Sequence, residues 1–220
     1  MSIQKNLARA ACLAAGLAAV SAGAHAANLL SNGDFEAAGP NYGAGADGSY
    51  CYMAYPALAC GTVVGWTGSG QMILSGSNAW GTPNQLGGAH PELGDAIAGL
   101  QNASALDESL TGFAGGAYTL TWSDAGRAGY DAHTYEVLVD GNVVGTYSTN
   151  PGQAWATHTL SLTGLAAGSF TLEFLGQATR DGTSFIDNVS VSAVPEPAGA
   201  LLMLAGVLPL VAWRRRASKR

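Results

Sequence analysis

Over residues 117–191 apolar side chains recur at every second position, and glycine-containing turns interrupt the runs. Tyr118, Leu120 and Trp122 share one face of the segment 117–122, and Phe170, Leu172 and Phe174 share one face of 169–174. Segments 135–139 and 143–147 flank Asp140-Gly141-Asn142, a hairpin turn signal. Segment 157–162 alternates in the same way, and 184–191 reads as the last strand. No stretch of this region shows the 3.6-residue apolar stripe of a packed helix. A two-residue period places successive side chains on opposite faces of a sheet. The expected fold is therefore all-β, an antiparallel sandwich or jelly roll.

The sequence repeats itself once. Leu-Thr-Gly-Phe-Ala-Gly-Gly-Ala-Tyr-Thr-Leu-Thr-Trp at 110–122 aligns with Leu-Thr-Gly-Leu-Ala-Ala-Gly-Ser-Phe-Thr-Leu-Glu-Phe at 162–174, with seven of thirteen positions identical. Each copy reads as the end of a strand, a glycine turn and an alternating strand, so the pair is expected to form matching hairpins. Two copies are too few for a solenoid. Residues 39–61 are the least strand-like part and read as a long loop.

The ends differ in character from the centre. Lys5 and Arg9 precede an apolar run, Ala10 to Val20, and a small-x-small site at Ala24-His25-Ala26. This is the pattern of a secretory signal peptide over residues 1–26, with the mature chain starting at Ala27. At the other end, Pro195-Glu196-Pro197 precedes an uncharged run, Ala198 to Trp213, and then Arg214-Arg215-Arg216. Sixteen helical residues extend about 24 Å, and snorkelling arginines with an interfacial Trp complete a span of the ~30 Å hydrocarbon core. The basic end stays in the cytoplasm by the positive-inside rule, so the body lies across the membrane from it.

With both ends set aside, Arg127 and Arg180 are the only Lys or Arg residues left, against fourteen acids. A body with a formal charge of −12 and no lysine is unsuited to nucleic acid, whose phosphates require cations. It is equally unsuited to docking on anionic lipid. It suits divalent cations, neutral glycans or plain solubility. Cys51 and Cys60 remain in a chain expected to be exported, and an oxidising compartment makes them a disulfide. Closing so short a loop stabilises by about 2.5–3 kcal/mol in the chain-entropy model.

The C-terminal combination of Pro195, Glu196 and Pro197, an apolar span and a basic end closely resembles the PEP-CTERM sorting domain of Gram-negative bacteria. That resemblance implies a membrane-embedded exosortase as processing partner, with cleavage near Pro195–Pro197. It also implies a membrane-anchored intermediate and then release to the cell surface or into extracellular polysaccharide. The body carries Asn-Leu-Leu-Ser-Asn-Gly-Asp-Phe-Glu at 28–36, Val-Val-Gly-Trp at 63–66, Gly-Asp-Ala-Ile-Ala-Gly-Leu-Gln at 94–101, Thr-Leu-Thr-Trp-Ser-Asp-Ala-Gly-Arg at 119–127 and Phe-Ile-Asp-Asn-Val-Ser-Val at 185–191. In that order these motifs resemble the jelly-roll modules of the choice-of-anchor C group, plant cell-wall jelly rolls and galactose-binding-like carbohydrate-binding modules. The resulting organisation is a signal peptide at 1–26, a jelly-roll ectodomain at 27–193 and a sorting signal at 194–220. The resemblance also implies a structural Ca²⁺ where first and last strands meet, held by the Gly33 carbonyl, Glu36 and Asp187, with Asp34 as a further ligand. Calcium takes six to eight oxygens, which carboxylates and carbonyls supply. The alternative is that Asp34 begins a turn, Glu36 faces solvent and Asp187 bonds the backbone.

No catalytic constellation is legible. His90, His133 and His158 are scattered, no Gly-x-Ser-x-Gly elbow is present, and no carboxylate pair stands out as a glycosidase dyad. The Gly-x-Gly-x-x-Gly match at 43–48 lacks the strand before and helix after that a dinucleotide site requires. Sugars are held by aromatic stacking with amide and carboxylate hydrogen bonds. Trp80, Tyr130, Tyr135 and Trp155 fall at or near expected loops, with Arg127 and Asp131 close by, and are the glycan-contact candidates; the alternative is that they are core or plain surface. Trp66 and Trp122 read as core. Three functions are compatible with these residues: an exported non-catalytic module that binds polysaccharide, a structural matrix protein without a specific ligand, and a hydrolase of surface glycans.

Overall fold

A computed structural model describes residues 27–37, 48–74, 76–81, 96–177 and 180–194. The proposed signal peptide, the sorting residues Pro195, Glu196, Pro197, Arg214, Arg215 and Arg216, and most of the 43–48 glycine motif lie outside the described residues. Ala27–Val194 form one compact unit. Its strands are β1 (Tyr50–Tyr52), β2 (Trp66–Gly68), β3 (Gln71–Leu74), β4 (Ala96–Gln101), β5 (Ala105–Gly126), β6 (His133–Val139), β7 (Asn142–Thr149), β8 (Ala156–Gly176) and β9 (Thr183–Ala193). Among the described residues a single 3₁₀ turn, Pro56–Leu58, is the only helical element, and no helix is long and apolar enough to cross a membrane.

The strands hydrogen-bond in the order β1-β3-β4-β9-β5-β8-β6-β7, with β2 on β5. All the strand pairs are antiparallel. The ladder folds over on itself because β5 and β8 are shared. In its first half β5 lies between β2 and β8; in its second half it lies between β9 and β8. Only the second half of β8 pairs with β6. One layer thus holds β1, β3, β4, β9 and the adjoining halves of β5 and β8, and the other holds β2, their remaining halves, β6 and β7. Trp122 of the first layer stacks edge-on to Tyr147 of the second, with ring centres 4.7 Å apart, so the two layers face each other. The all-β sandwich expected from the alternation is what the chain forms.

The internal repeat has a different role from the expected pair of hairpins. Its copies are partners in one ladder, with Leu110 opposite Phe170 and Tyr118 opposite Leu162. The register slips twice, between Leu110 and Phe113 and between Gly116 and Tyr118. Gly112, Gly115 and Gly116 have positive φ in the slipped region, as do Gly164 and Gly168 opposite. Left-handed glycines inside a continuing ladder make bulges that bend the strand, whereas a hairpin must reverse it. The bends carry β5 and β8 from one layer to the other. Phe113 packs in each bend's hollow, 4.4 Å from the Tyr118 ring and 4.7 Å from Phe170. By contrast the β6–β7 hairpin turns at Asp140 and Gly141 with φ of 49° and 73°, the paired positive values its sequence signals.

Leu106, Leu110, Tyr118, Leu120, Trp122, Leu172, Phe174, Ile186 and Val191 fill the space between the layers. A second apolar cluster of Ile73, Trp80, Ile97, Ala125 and Phe185 covers the outer face of the first layer. Neighbouring residues therefore serve opposite faces, as with Met72 and Ile73 or Phe185 and Ile186. Burial on both faces explains why β3 and β4 read as near-continuous rather than alternating apolar runs, and the start of β9 buries Thr183, Ser184 and Asp187 beside Phe185 and Ile186.

Cys51 and Cys60 form the expected disulfide, with Cα atoms 4.9 Å apart and both side chains fully buried. The expected long loop at 39–61 is shorter than it reads, because Tyr50–Tyr52 adds to β3 as an edge strand. Three residues cannot hold an edge alone; the disulfide and the Cys60 N–H, which donates to the Tyr52 carbonyl at 2.9 Å, tie down the far end. Reduction with dithiothreitol is expected to lower unfolding stability by about 3 kcal/mol. Urea midpoints with and without reductant measure this, and an unchanged midpoint would show that the loop needs no staple.

Candidate functional site

The outer face of the first layer gathers most of the residues that sequence marks for glycan contact. Trp80 lies on that face against Ile73, Ile97 and Phe185, and Trp155 packs on the same cluster. The Arg127 guanidinium sits 4.3 Å from the Trp80 ring centre and 3.5 Å from that of Tyr130, stacked between them. Its Nη2 donates to the Ala79 carbonyl at 3.1 Å, and its Nη1 is 3.9 Å from Asp181. Asp181 also accepts from Gln101 Nε2 at 2.8 Å. Asp131 is exposed beside this group, and its N–H donates to the Asp181 carbonyl.

Exposure divides these candidates. Trp80 and Arg127 are 3% and 6% exposed, whereas Tyr130 is 40% exposed and Trp155 is partly buried. The buried pair forms the floor, and Tyr130, Trp155 and Asp131 form the accessible part. Arg127 Nε and Trp155 Nε1 are buried without hydrogen-bond partners. Tyr135 departs from its expected loop position. It lies in β6, fully buried between the layers, because strand alternation points it inward beside Val137.

Sequence reasoning passed over the tyrosines of the disulfide loop. Tyr50 and Tyr52 lie 5.7 and 6.1 Å from the Trp80 ring, and Tyr55 lies 6.0 Å from Tyr52. Burial raises the Tyr52 phenol above its ordinary range, with Tyr50 adding to the rise and Arg127 opposing it. The density of tyrosine around Cys51 was the available signal.

The proposed calcium ligands lie elsewhere, where residues 28–36 dock on β9. The Leu29 N–H donates to the Val191 carbonyl and the Val189 N–H to the Gly33 carbonyl, both at 2.8 Å. A Cβ at position 33 would collide with the Val189 carbonyl, so only glycine fits there. Asn188 and Phe35 adopt left-handed φ, and the β5–β9 register breaks at this point. An open cleft of about 290 Å³ lies between Asn32–Asp34 and Asn188–Ser190.

Asp187 is fully buried in that corner. Its Oδ1 accepts the Asn188 N–H at 2.6 Å, while its Oδ2 has no hydrogen-bond partner. Burial pushes its carboxyl up to about 8; the Asn188 N–H opposes the rise, and Glu36 and Asp34 add to it. Glu36 Oε1 accepts the Ala96 N–H at 2.7 Å, and Asp34 Oδ1 faces the Glu36 N–H at 3.4 Å. The donor set fits a cation through its orphaned Asp187 oxygen and its all-oxygen chemistry. Among the described residues, however, no three His, Cys, Asp or Glu side chains are gathered into a metal-holding group.

A third polar cluster is centred on the buried Asp124. Asp124 Oδ2 accepts from the Tyr135 hydroxyl at 2.8 Å, and that hydroxyl accepts from Trp122 Nε1 at 2.8 Å. Gln153 Nε2 donates to Asp124 Oδ1 at 3.3 Å. His158 Nε2 is 3.0 Å from the same oxygen but off the line of an aligned hydrogen bond. The imidazole of His133 bridges the Asn102 carbonyl at 2.8 Å and Ser184 Oγ at 2.9 Å. A carbonyl only accepts, so Nε2 carries the proton and Nδ1 accepts from Ser184. Asp124 and His133 are buried, whereas Gln153 and His158 are partly exposed at the edge of the Asp124 network.

No family model and no curated protein matches the chain. Among solved structures it is similar to the carbohydrate-binding module TmCBM61 in complex with β-1,4-galactotriose, at 16% identity over 76% of this chain and 99% of that one, with a TM-score of 0.47. It is also similar to a CBM22 xylan-binding domain from Paenibacillus barcinonensis, at 13% identity over 67% of this chain and 94% of that one, with a TM-score of 0.45. A CBM36 module in complex with calcium and xylotriose aligns at 18% identity over 43% of this chain and 79% of that one, with a TM-score of 0.36.

Proposed function

We propose that this protein is an exported, non-catalytic module that binds polysaccharide through the outer face of its first layer. One observation carries the reading. Trp80, the Arg127–Tyr130 loop and Trp155 come from three separate segments, yet meet on one face, where Trp80 and Tyr130 stack on the guanidinium. Ring stacking beside amide and carboxylate groups is the chemistry that holds sugars. The acidic body turns nucleic acid away, and its two cations are too few to hold a polyanion. The terminal signals of the sequence support delivery through exosortase processing to the cell surface or exopolysaccharide. Affinity electrophoresis on gels cast with defined polysaccharides tests the binding: retardation on at least one glycan, lost in Tyr130→Ala, is expected. No retardation on any glycan would leave the matrix-protein reading, which the burial of Trp80 and Arg127 favours.

The corner at Asp187 is proposed to hold a structural Ca²⁺ with Asp187, Glu36, the Gly33 carbonyl and Asp34 as its protein ligands. The cation would supply the positive charge that the orphaned Asp187 oxygen lacks. Because residues 28–36 dock here, binding would couple the start of the chain to its last strand. Millimolar Ca²⁺ is expected to raise the melting temperature of the chelated protein, with magnesium less effective because it demands a tighter octahedron. Calorimetry in EDTA and in calcium measures this; identical melts would remove the cation.

A further inference from the structure

The three tyrosines of the disulfide loop extend the ring cluster well beyond the residues used above. Cys51 points into the space between the layers, where it joins the main core. Strand alternation then turns its neighbours Tyr50 and Tyr52 to the opposite, outer face, where both pack on the Trp80 cluster. From Tyr52 the rings continue to Tyr55, which is 55% exposed. In the other direction they continue from Trp80 through Arg127 to Tyr130, which is 40% exposed. Two accessible rings therefore mark the ends of one strip, and the buried Trp80 and Arg127 form its centre.

We infer that this strip takes an uncharged glycan chain several sugars long, with the disulfide loop supplying its distal end. The inference rests on the glycan-binding reading and specifies its ligand. A site for a single terminal sugar needs one or two rings around a pocket, whereas this strip has rings spaced in steps of 5.7–6.1 Å along the Trp80–Tyr50/Tyr52–Tyr55 branch. Its cation, Arg127, is already stacked on both faces, donates to Ala79, lies beside Asp181 and keeps only a buried Nε unpaired. It has little left for a carboxylate, and the acidic body repels a polyanion. The disulfide becomes a positioning element: its two cysteines hold the loop against the core and leave Tyr52 and Tyr55 facing outward.

Calorimetric titration of the purified protein tests this. The probes are oligosaccharides of two, four and six sugars from a neutral polysaccharide retained on the gels, and polygalacturonate for comparison. Affinity is expected to rise at least about tenfold from two to six sugars. In Tyr55→Ala that ratio should shrink several-fold, and dithiothreitol treatment should reproduce the loss. Tyr130→Ala should shrink it from the other end. Equal affinity for all lengths, or a preference for polygalacturonate over the neutral chain, would overturn the inference while leaving glycan binding intact. Failure to bind every probe and every gel would instead remove the glycan-binding reading itself.

Discussion

Asp124→Ala is expected to cost about 2–4 kcal/mol of unfolding stability, the sum of a buried donor left without its acceptor and the cavity opened. The carboxylate is completely buried and receives the Tyr135 hydroxyl and Gln153 amide, with His158 at 3.0 Å. Removing it strands the Tyr135 hydroxyl as a donor with no acceptor, beside a Trp122 indole that depends on the same hydroxyl. It also opens a cavity at the end of the core, where Trp122, Tyr135, Tyr147 and His158 are in ring contact. Whole domains are stable by only ~5–15 kcal/mol. A loss of this size should lower the melting temperature by roughly 5–10 °C for a body of this length. Asp124→Asn keeps an acceptor for Tyr135 and should lose less than half as much. Chemical denaturation of the three proteins measures the difference, and an Asp124→Ala midpoint within error of the parent would show that the network carries no stability.

The chelated protein should grow more stable as pH falls from 8 to about 5, opposite to the usual acid response. Glu108 and Asp187 are both buried with one unpartnered oxygen, and burial pushes them up to about 7 and about 8. In each case an N–H, from Ser31 and Asn188 respectively, opposes the rise. Their unfolded values lie near 4, so between pH 4 and 8 the folded state holds more protons than the unfolded state. Stability then falls with rising pH, by up to about 1.4 kcal/mol per unit for each group. Asp107 and Glu173, opposite each other across β5 and β8, are raised by burial and act in the same direction.

His133 works against this trend. Burial lowers its imidazole below the ordinary value, so its contribution is present above about pH 6.5 and is lost as pH falls. One histidine removes only part of what two carboxyls contribute. His133 therefore reduces the slope below about pH 6.5 without reversing it, and the maximum should lie near pH 4–5. Calcium should flatten the upper limb, because a cation on Asp187 favours the ionised carboxyl. Asp187→Asn should match or exceed the parent at pH 8 in EDTA and should lose the calcium response. Urea unfolding across this range is the measurement; stability that rises steadily from pH 5 to 8 in EDTA would contradict the buried-acid account.

The sequence determined the class of fold, the hairpin at Asp140-Gly141, the pairing of Cys51 with Cys60 and the acidic character of the body. Each is local or compositional: a two-residue period, a turn that needs positive φ, two cysteines in a body preceded by a signal-peptide pattern, and a count of charges. It also marked Trp80, Arg127, Tyr130 and Trp155, because aromatic and cationic residues at loops are visible one at a time. Tertiary structure decided the rest. Whether a glycine segment reverses or bends a strand depends on what continues the ladder on either side, so the repeat at 110–122 and 162–174 became two facing bends rather than two hairpins. Whether Tyr135 meets sugar or core depends on the layer that closes over it, and Asp124 lies in that closed layer. The strip from Tyr55 to Tyr130 joins residues far apart in the chain, and no periodicity connects them. Only folding the first layer's outer face around Trp80 brings them into one connected cluster.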